Sequence, residues 1–183
     1  TYYKDNLDDD DQILTFFLKG AHRAFTIDGI KGDTLINTGT GPTNYQFLSV
    51  CESLQEIIEE KVRRAVKRYL KCDVTQPNPL ALLVLPPADC LLSSFCFNMA
   101  CKDIPTYQSA FRNISSFLKP GRHLLFCSTL EEHYYITTLG PTQVLSPLPG
   151  EGDGRRGSTR MNIPPSLADG KKLCILLAQK CSP

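Results

Sequence analysis

The run Asp33-Thr34-Leu35-Ile36-Asn37, broken by Thr38-Gly39-Thr40-Gly41 and followed by Pro42, narrows the folds open to this chain more than any other feature. The first five residues read as a short apolar strand. Pro42 suits the first turn of a helix, where an N–H would have no intrahelical partner. Tyr45, Leu48 and Cys51 give that helix a buried side. The order is strand, glycine turn, helix. In open α/β sheets this arrangement makes a ligand site beyond the carboxyl ends of the strands. Gly39 and Gly41 carry no Cβ, so the backbone can approach a ligand closely. The helix start offers unpaired N–H groups and a partial positive charge, which suit a carboxylate. Gly-x-Gly alone is a weak signal, because glycine turns without a ligand are common. A dinucleotide-binding Gly-x-Gly-x-x-Gly turn fits poorly, since Asn44 stands where the third glycine belongs.

The remaining pattern continues the alternation. Asp8 to Asp11, followed by Ile13, Phe16, Phe17 and Ala21, reads as a helix with acids at its positive end rather than as a calcium patch. Glu59 and Glu60 open another helix, with Val62, Ala65, Val66 and Tyr69 at helical spacing and basic residues on the rest. Ala88 to Ser94 is a second buried strand. Asp103 can cap a helix carrying Tyr107, Ala110, Phe111, Ile114, Phe117 and Leu118 on one face, ended by Lys119-Pro120-Gly121. His123 to Thr129 and Lys172 to Lys180 are two further strands. Strands alternating with helices predict an α/β fold, a mostly parallel sheet covered on both faces. We expect residues 1–183 to form one domain. Residues 140–170 hold six glycines and five prolines without apolar period, and are expected to be loop or disorder.

Composition removes several classes. Twenty basic and 19 acidic residues leave a net charge of +1, which gives no electrostatic footprint for nucleic acid or acidic membranes. No run approaches the ~18 apolar residues of a membrane span. The chain opens at Thr1 without a basic and apolar leader. The eight cysteines include no Cys-x-x-Cys pair, and the three histidines are not spaced to join them as ligands, so no metal is expected. Cys90, Cys127 and Cys174 lie in apolar runs and read as structural thiols of a reducing compartment. Asn113-Ile114-Ser115 matches a glycosylation sequon, but Ile114 belongs to a helix's apolar stripe, so the match reads as chance.

Several ordered segments carry a resemblance. Lys31 to Gln46, through Asp33-Thr34-Leu35-Ile36-Asn37-Thr38-Gly39-Thr40-Gly41-Pro42-Thr43-Asn44-Tyr45, resembles the cofactor motif of the nicotinamide, indolethylamine and phenylethanolamine N-methyltransferase family. Tyr69-Leu70-Lys71-Cys72-Asp73-Val74-Thr75-Gln76 resembles its second signature. Leu85-Pro86-Pro87-Ala88-Asp89-Cys90 and Leu118-Lys119-Pro120-Gly121 resemble a third region. The similarity runs from about Tyr2 to Tyr135, returns weakly near Lys172 to Lys180, and is nearest to the nicotinamide and indolethylamine branch.

The resemblance implies a Rossmann-like sheet, S-adenosyl-L-methionine as cofactor, and methyl transfer to a small amine or heterocyclic nitrogen. It implies that Gly39 and Gly41 line the methionine part, that Thr43 and Tyr45 contact its carboxylate, and that Tyr3 closes over the cofactor. Asp73 and Val74 would hold the adenine, and Ser94 stands beside the cofactor where the family usually has threonine. Tyr135, Asn98 and Ser128 would face the acceptor. The sulfonium carries the activated methyl, so alignment and desolvation suffice and no catalytic base is assigned. A cytoplasmic monomer, acting on a small molecule without nucleic acid or membrane, is the corresponding expectation.

The sequence departs from that family at four places. Asn37 replaces the acid usual at the end of the first strand. After Gln55-Glu56-Ile57-Ile58 the chain passes at once to Glu59, where the family has its second strand, a helix and its third strand. Such a unit needs ~30 residues or more, and it would bring the acidic ribose ligand. Ser128 and Asn98 replace acids of the nicotinamide-specific members, which argues against a nicotinamide-type acceptor. Residues 140–170 do not resemble the family's late helix and strand. A sheet lacking its second and third strands, and a non-catalytic paralogue serving as a binding module, are therefore also expected outcomes.

Overall fold

Ala88–Ser94 is buried at every position, and the sheet grows outward from it. A strand covered on both faces tolerates an unbroken small and apolar run where a half-exposed strand would alternate. The computed structural model describes residues 7–39, 66–130, 134–137, 140–143, 155–160 and 172–181. Along the chain these form α1 (Leu7–Thr26), β1 (Leu35–Thr38), β2 (Ala88–Ser94), α2 (Cys96–Ala100), α3 (Ile104–Ser115) and β3 (Leu118–Leu130). They continue through β4 (Tyr134–Thr137), β5 (Gly140–Gln143), β6 (Arg155–Arg160) and β7 (Lys172–Gln179).

The main sheet has the order β1-β2-β3-β7-β6, and β4 and β5 form a separate hairpin. β1, β2 and β3 are parallel, with Leu35 opposite Cys90 and Ser94 opposite Cys127. β7 is antiparallel to β3, and β6 to β7. Parallel strands joined by helices and closed by an antiparallel pair make the expected Rossmann-like sheet. β1 ends the sheet, and among the described residues no strand pairs with its outer side.

Alternate residues of β2 feed two cores, because successive strand side chains point to opposite faces. Leu91, with Leu124 and Phe126 of β3, packs under α2 and α3 against Phe97, Tyr107, Ala110 and Ile114. Cys90 and Leu92, with Leu125, Cys127 and Ile175, pack under α1 against Phe17, Ala21 and Ala24. Helices therefore cover both faces, and the carboxyl ends of β1, β2 and β3 emerge together.

The amino ends of the same strands are tied by Asp89. Its Oδ2 accepts from the N–H groups of Asp33 (3.0 Å) and Thr34 (3.3 Å), and its Oδ1 lies 2.8 Å from Lys119 Nζ and 3.4 Å from Arg122 Nε. A Cβ on Gly32 would overlap the Asp89 side chain, so the chain entering β1 must be bare there. The Lys119 hydrogen bond, followed by those from Asp33 and Thr34, holds the Asp89 carboxyl below its ordinary range against the opposing effect of burial.

Three expectations need correction. The α3 helix ends at Ser115, before Phe117 and Leu118, because Lys180 Nζ donates to the Ser115 and Leu118 carbonyls and Leu118 already pairs with Ala88. Lys119-Pro120-Gly121 consequently falls inside β3. The β2–β3 register shifts between Ala88 and Cys90, opposite Leu118 and His123, and the bulge takes up Pro120 and Gly121, the latter at φ 72°. Second, two strands lie within 140–170, Gly140–Gln143 and Arg155–Arg160. Their backbone pairs with β4 and with the outer side of β7, so ladder hydrogen bonds build them without an apolar period. Third, residues 66–70 are not helical and Tyr69 is 69% exposed. An amphipathic segment holds a helix only where its apolar face finds a surface, and Tyr69 finds none among the described residues. The expected helix after Pro42 and the start of the one at Glu59 lie outside the described residues. No helix among them is long and apolar enough to cross a membrane.

Candidate functional site

The carboxyl ends of β1 and β2 carry polar side chains that the described residues do not satisfy. Asn37 stands opposite Leu92, and Thr38 opposite Ser93. Asn37 Oδ1 and Nδ2, Ser93 Oγ and Ser94 Oγ are all buried without a hydrogen-bond partner among the described residues. Ser94 lies against the Cys127 thiol, which is only a weak partner. Leaving such a group unpaired costs about 1–3 kcal/mol, so a concentration of them at one sheet end suits a polar ligand with both donors and acceptors. Asn37 and Ser94 lie on the α1 side of the sheet and Ser93 on the other.

Gly39 follows directly, with φ 80°, and marks the start of the turn. A Cβ there would stand 2.5 Å from the Cys96 Cβ and 3.2 Å from its Sγ. The direction a side chain would take at Gly39 is therefore filled by Cys96. Close packing of the turn on α2 demands this glycine in its own right. Phe95, at φ 57°, swings the chain from β2 into α2, and its N–H donates to the Cys127 carbonyl at 2.9 Å.

Cys96 also faces the loop that carries Asp73. Burial pushes its thiol up to about 11, and the nearby Cys72 and Cys101 add to the effect. Asp73 is exposed. Its Oδ1 accepts from the Thr75 hydroxyl (2.6 Å) and the Thr75 N–H (3.0 Å), which together hold its pKa below the ordinary carboxyl value. The Val74 side chain is 3% exposed and belongs to the core under α3. Its carbonyl accepts from Asn113 Nδ2 at 3.0 Å. The amide of the glycosylation-like tripeptide thus anchors the Asp73 loop.

At the end of β3 the structure brings Asn98 and Ser128 together. Ser128 Oγ donates to Asn98 Oδ1 at 2.5 Å, and Asn98 Nδ2 donates to Thr129 Oγ1 at 3.0 Å. Burial pushes the pKa of the Tyr107 phenol above its ordinary value. Tyr135 lies on β4 with Thr142 opposite. Tyr3, Gly41, Thr43 and Tyr45 lie outside the described residues. Sequence reasoning missed Cys96, Asn113 and Thr129. Among the described residues no three His, Cys, Asp or Glu side chains group as metal ligands.

The NNMT/PNMT/TEMT family model matches residues 1–59 and 55–145, two runs that meet where the chain passes from Ile58 to Glu59. The nicotinamide N-methyltransferase of Sus scrofa is 42% identical over 172 residues, covering 69% of this chain and 65% of that protein. The indolethylamine N-methyltransferase of Oryctolagus cuniculus is 35% identical over 170 residues, covering 68% and 65%. The chain thus spans just under two thirds of these relatives' length. Because 172 aligned positions draw on only 69% of 183 residues, the alignment includes a long gap in this chain. A similar backbone is found in Burkholderia thailandensis 1,6-didemethyltoxoflavin-N1-methyltransferase, solved with 1,6-didemethyltoxoflavin and S-adenosylhomocysteine. The TM-score is 0.59 at 13% identity, covering 98% of this chain and 84% of that one. Two family-model runs over residues 1–145 and relatives of this similarity establish that the chain belongs to the NNMT/PNMT/TEMT family.

Proposed function

We propose that the protein is an S-adenosyl-L-methionine-dependent N-methyltransferase acting on a small amine or heterocyclic nitrogen. The observation that carries this reading is the set of orphaned polar groups on Asn37, Ser93 and Ser94. They lie beside the Gly39 turn, at the sheet end where this fold takes ligands. The residues fit the cofactor. Asn37 offers a donor and an acceptor, Ser94 a hydroxyl and Asp73 an exposed carboxylate, and the family resemblance assigns Thr43 and Tyr45 to the cofactor's carboxylate and Tyr3 to the cover. Bound there, the sulfonium supplies an activated methyl group.

The chain's own work is then binding, orientation and exclusion of water. Tyr135, Asn98 and Ser128 orient the acceptor nitrogen towards the cofactor end, and alignment of this kind contributes much of the barrier lowering. Asn98, Ser128 and Thr129 carry no ionised base, so removing a proton from an amine is not their work. A net charge of +1 supports a reading without nucleic acid or acidic membrane as partner; a cytoplasmic monomer belongs to the same proposal.

Calorimetry with S-adenosylhomocysteine tests the reading first. Heat of binding is expected, and none at millimolar ligand ends it. Transfer of labelled methyl to nicotinamide, tryptamine and phenylethanolamine, the acceptors named for the relatives, tests it second.

A non-catalytic paralogue is the second reading. It is favoured by β1 standing at the sheet edge among the described residues and by the two family runs meeting at residues 55–59. Ligand heat without transfer to any amine of the panel would select it.

A further inference from the structure

Asp73 is exposed, yet its backbone is held at both polar groups. Its N–H donates to the Pro79 carbonyl at 2.9 Å, and its own carbonyl accepts from the Gln76 N–H at 3.2 Å. The Thr75 hydroxyl and N–H both fall on Oδ1, and a carboxylate can accept further bonds. These contacts all lie within residues 73–79. They shape the turn, but do not by themselves place it against the rest of the fold. Val74 does that in two ways. Its side chain, 3% exposed, belongs to the core of Phe97, Ala110 and Ile114 under α3. Its carbonyl accepts from Asn113 Nδ2 at 3.0 Å, across 39 positions of sequence. Apolar burial has no direction, so it sets how deep the turn sits. The hydrogen bond has direction, so it sets how the turn is rotated. Asn113 is itself held still. It precedes the fully buried Ile114 near the end of α3, and its carbonyl accepts from the Ser116 N–H and hydroxyl.

We propose that Asn113 is a positioning residue for the cofactor's adenine: by holding the Val74 carbonyl it aims the Asp73 carboxylate at the exocyclic amine, and so makes the site selective for that base. Asn113 acts through the 73–74 turn and not on the ligand. The inference rests on the methyl-transfer reading, which puts the adenine at Asp73 and Val74. It goes beyond that reading in giving a side chain of α3 a part in choosing the nucleobase.

The test compares S-adenosylhomocysteine with S-inosylhomocysteine, in which a carbonyl oxygen replaces the exocyclic amine. Calorimetry measures both affinities in the unaltered protein, Asn113→Asp, Asn113→Ala, Asp73→Ala and the double variant Asp73→Ala with Asn113→Ala. Asn113→Asp keeps the shape of the side chain and loses the donor. The unaltered protein should bind the adenine compound at least about tenfold more tightly, because a carbonyl cannot donate to the carboxylate. Both Asn113 variants should lose about tenfold in S-adenosylhomocysteine affinity, the effect of one hydrogen bond. Their S-inosylhomocysteine affinity should stay within about twofold of the unaltered protein's, where a merely structural role would weaken the two ligands alike. The double variant should be no worse than Asp73→Ala, since Asn113 acts through Asp73. Equal weakening of both ligands in Asn113→Ala, or of neither, overturns the proposal, as does a further loss in the double variant. Should Asn113→Ala fail to fold, the same comparison in Asn113→Asp decides. An unaltered protein that binds the two compounds equally tightly overturns it without any variant. Absence of S-adenosylhomocysteine heat in the unaltered protein is the separate failure of the methyl-transfer reading.

Discussion

Gly39 packs so closely on Cys96 that a Cβ at position 39 would stand 2.5 Å from the Cys96 Cβ. The two residues lie 57 positions apart and join the end of β1 to the start of α2. Gly39→Ala therefore meets two obstacles, the clash and a φ of 80°. The left-handed conformation alone costs about 1–2 kcal/mol for a residue with a side chain. We expect urea denaturation to show a loss of at least that size. Cys96→Ala should remove the Sγ contact but leave the Cβ clash, so it should rescue Gly39→Ala only in part. Full rescue would mean that the backbone at position 39 is unstrained.

Asp89 predicts an acid-limb effect. Its folded-state pKa lies below the ordinary 3.8, chiefly through the Lys119 hydrogen bond. A depressed value means that the unfolded chain binds the proton more readily. The stabilisation is thus fully present above the unfolded value, and it is lost as pH falls from about 4 through the folded one. Melting temperature should fall more steeply below pH 4 in the native protein than in Asp89→Asn, and Asp89→Asn should melt lower at pH 7. Parallel curves would show that the contacts with Lys119, Asp33 and Thr34 do not depend on the charge.

The legibility of this chain followed the locality of each cause. Ala88–Ser94 was readable to the residue, because a strand buried on both faces declares itself by composition. The Asp103 cap was equally local, its side chain accepting from the Thr106 N–H at 2.7 Å. The end of α3 was not, because Lys180 decides it from 62 to 65 residues away. β5 and β6 were hidden because edge pairing supplies their hydrogen bonds, and no apolar period is needed. At the candidate site, Asn98 and Ser128 were picked out by resemblance, and the structure brings them into contact. Cys96 was invisible for a different reason. A cysteine at core spacing looks the same whether it merely fills space or directs a neighbour.

The thiols should separate by accessibility. Among the seven described cysteines, Cys72 and Cys181 are exposed while Cys90, Cys101, Cys127 and Cys174 are buried. Burial pushes Cys90 up to about 12 and Cys101 up to about 11, so almost no thiolate exists there at pH 8. Iodoacetamide under native conditions should label Cys181 first. Cys72 should follow more slowly, because partial burial and the Asp73 charge raise it above the ordinary 9.0. The four buried thiols should label only in denaturant. Peptide mass mapping reads this out, and native labelling of Cys127 would contradict the packing of β3 under α1.

Phe97 concentrates the largest packing prediction. It is fully buried, with ring centroids 5.4 Å from Tyr107, 4.8 Å from Phe111 and 5.4 Å from Phe126. It lies on a five-residue helix whose own hydrogen bonds are too few to hold it, so the ring anchors α2 rather than the reverse. Phe97→Ala removes the contact area and leaves a cavity between α2, α3 and β3. The expected loss is about 3–5 kcal/mol by urea denaturation. Phe97→Leu should lose much less, because a branched apolar side chain still fills most of the space. The two variants also separate packing from position: α2 carries both Cys96 and Asn98, so a loosened α2 shifts the partner of Gly39 and the partner of Ser128 together. Amide exchange at residues 96–101 should therefore rise more than at the carboxyl half of α3 in Phe97→Ala. Equal rises in both helices would mean that the cluster is one cooperative unit and that Phe97 has no special hold on α2.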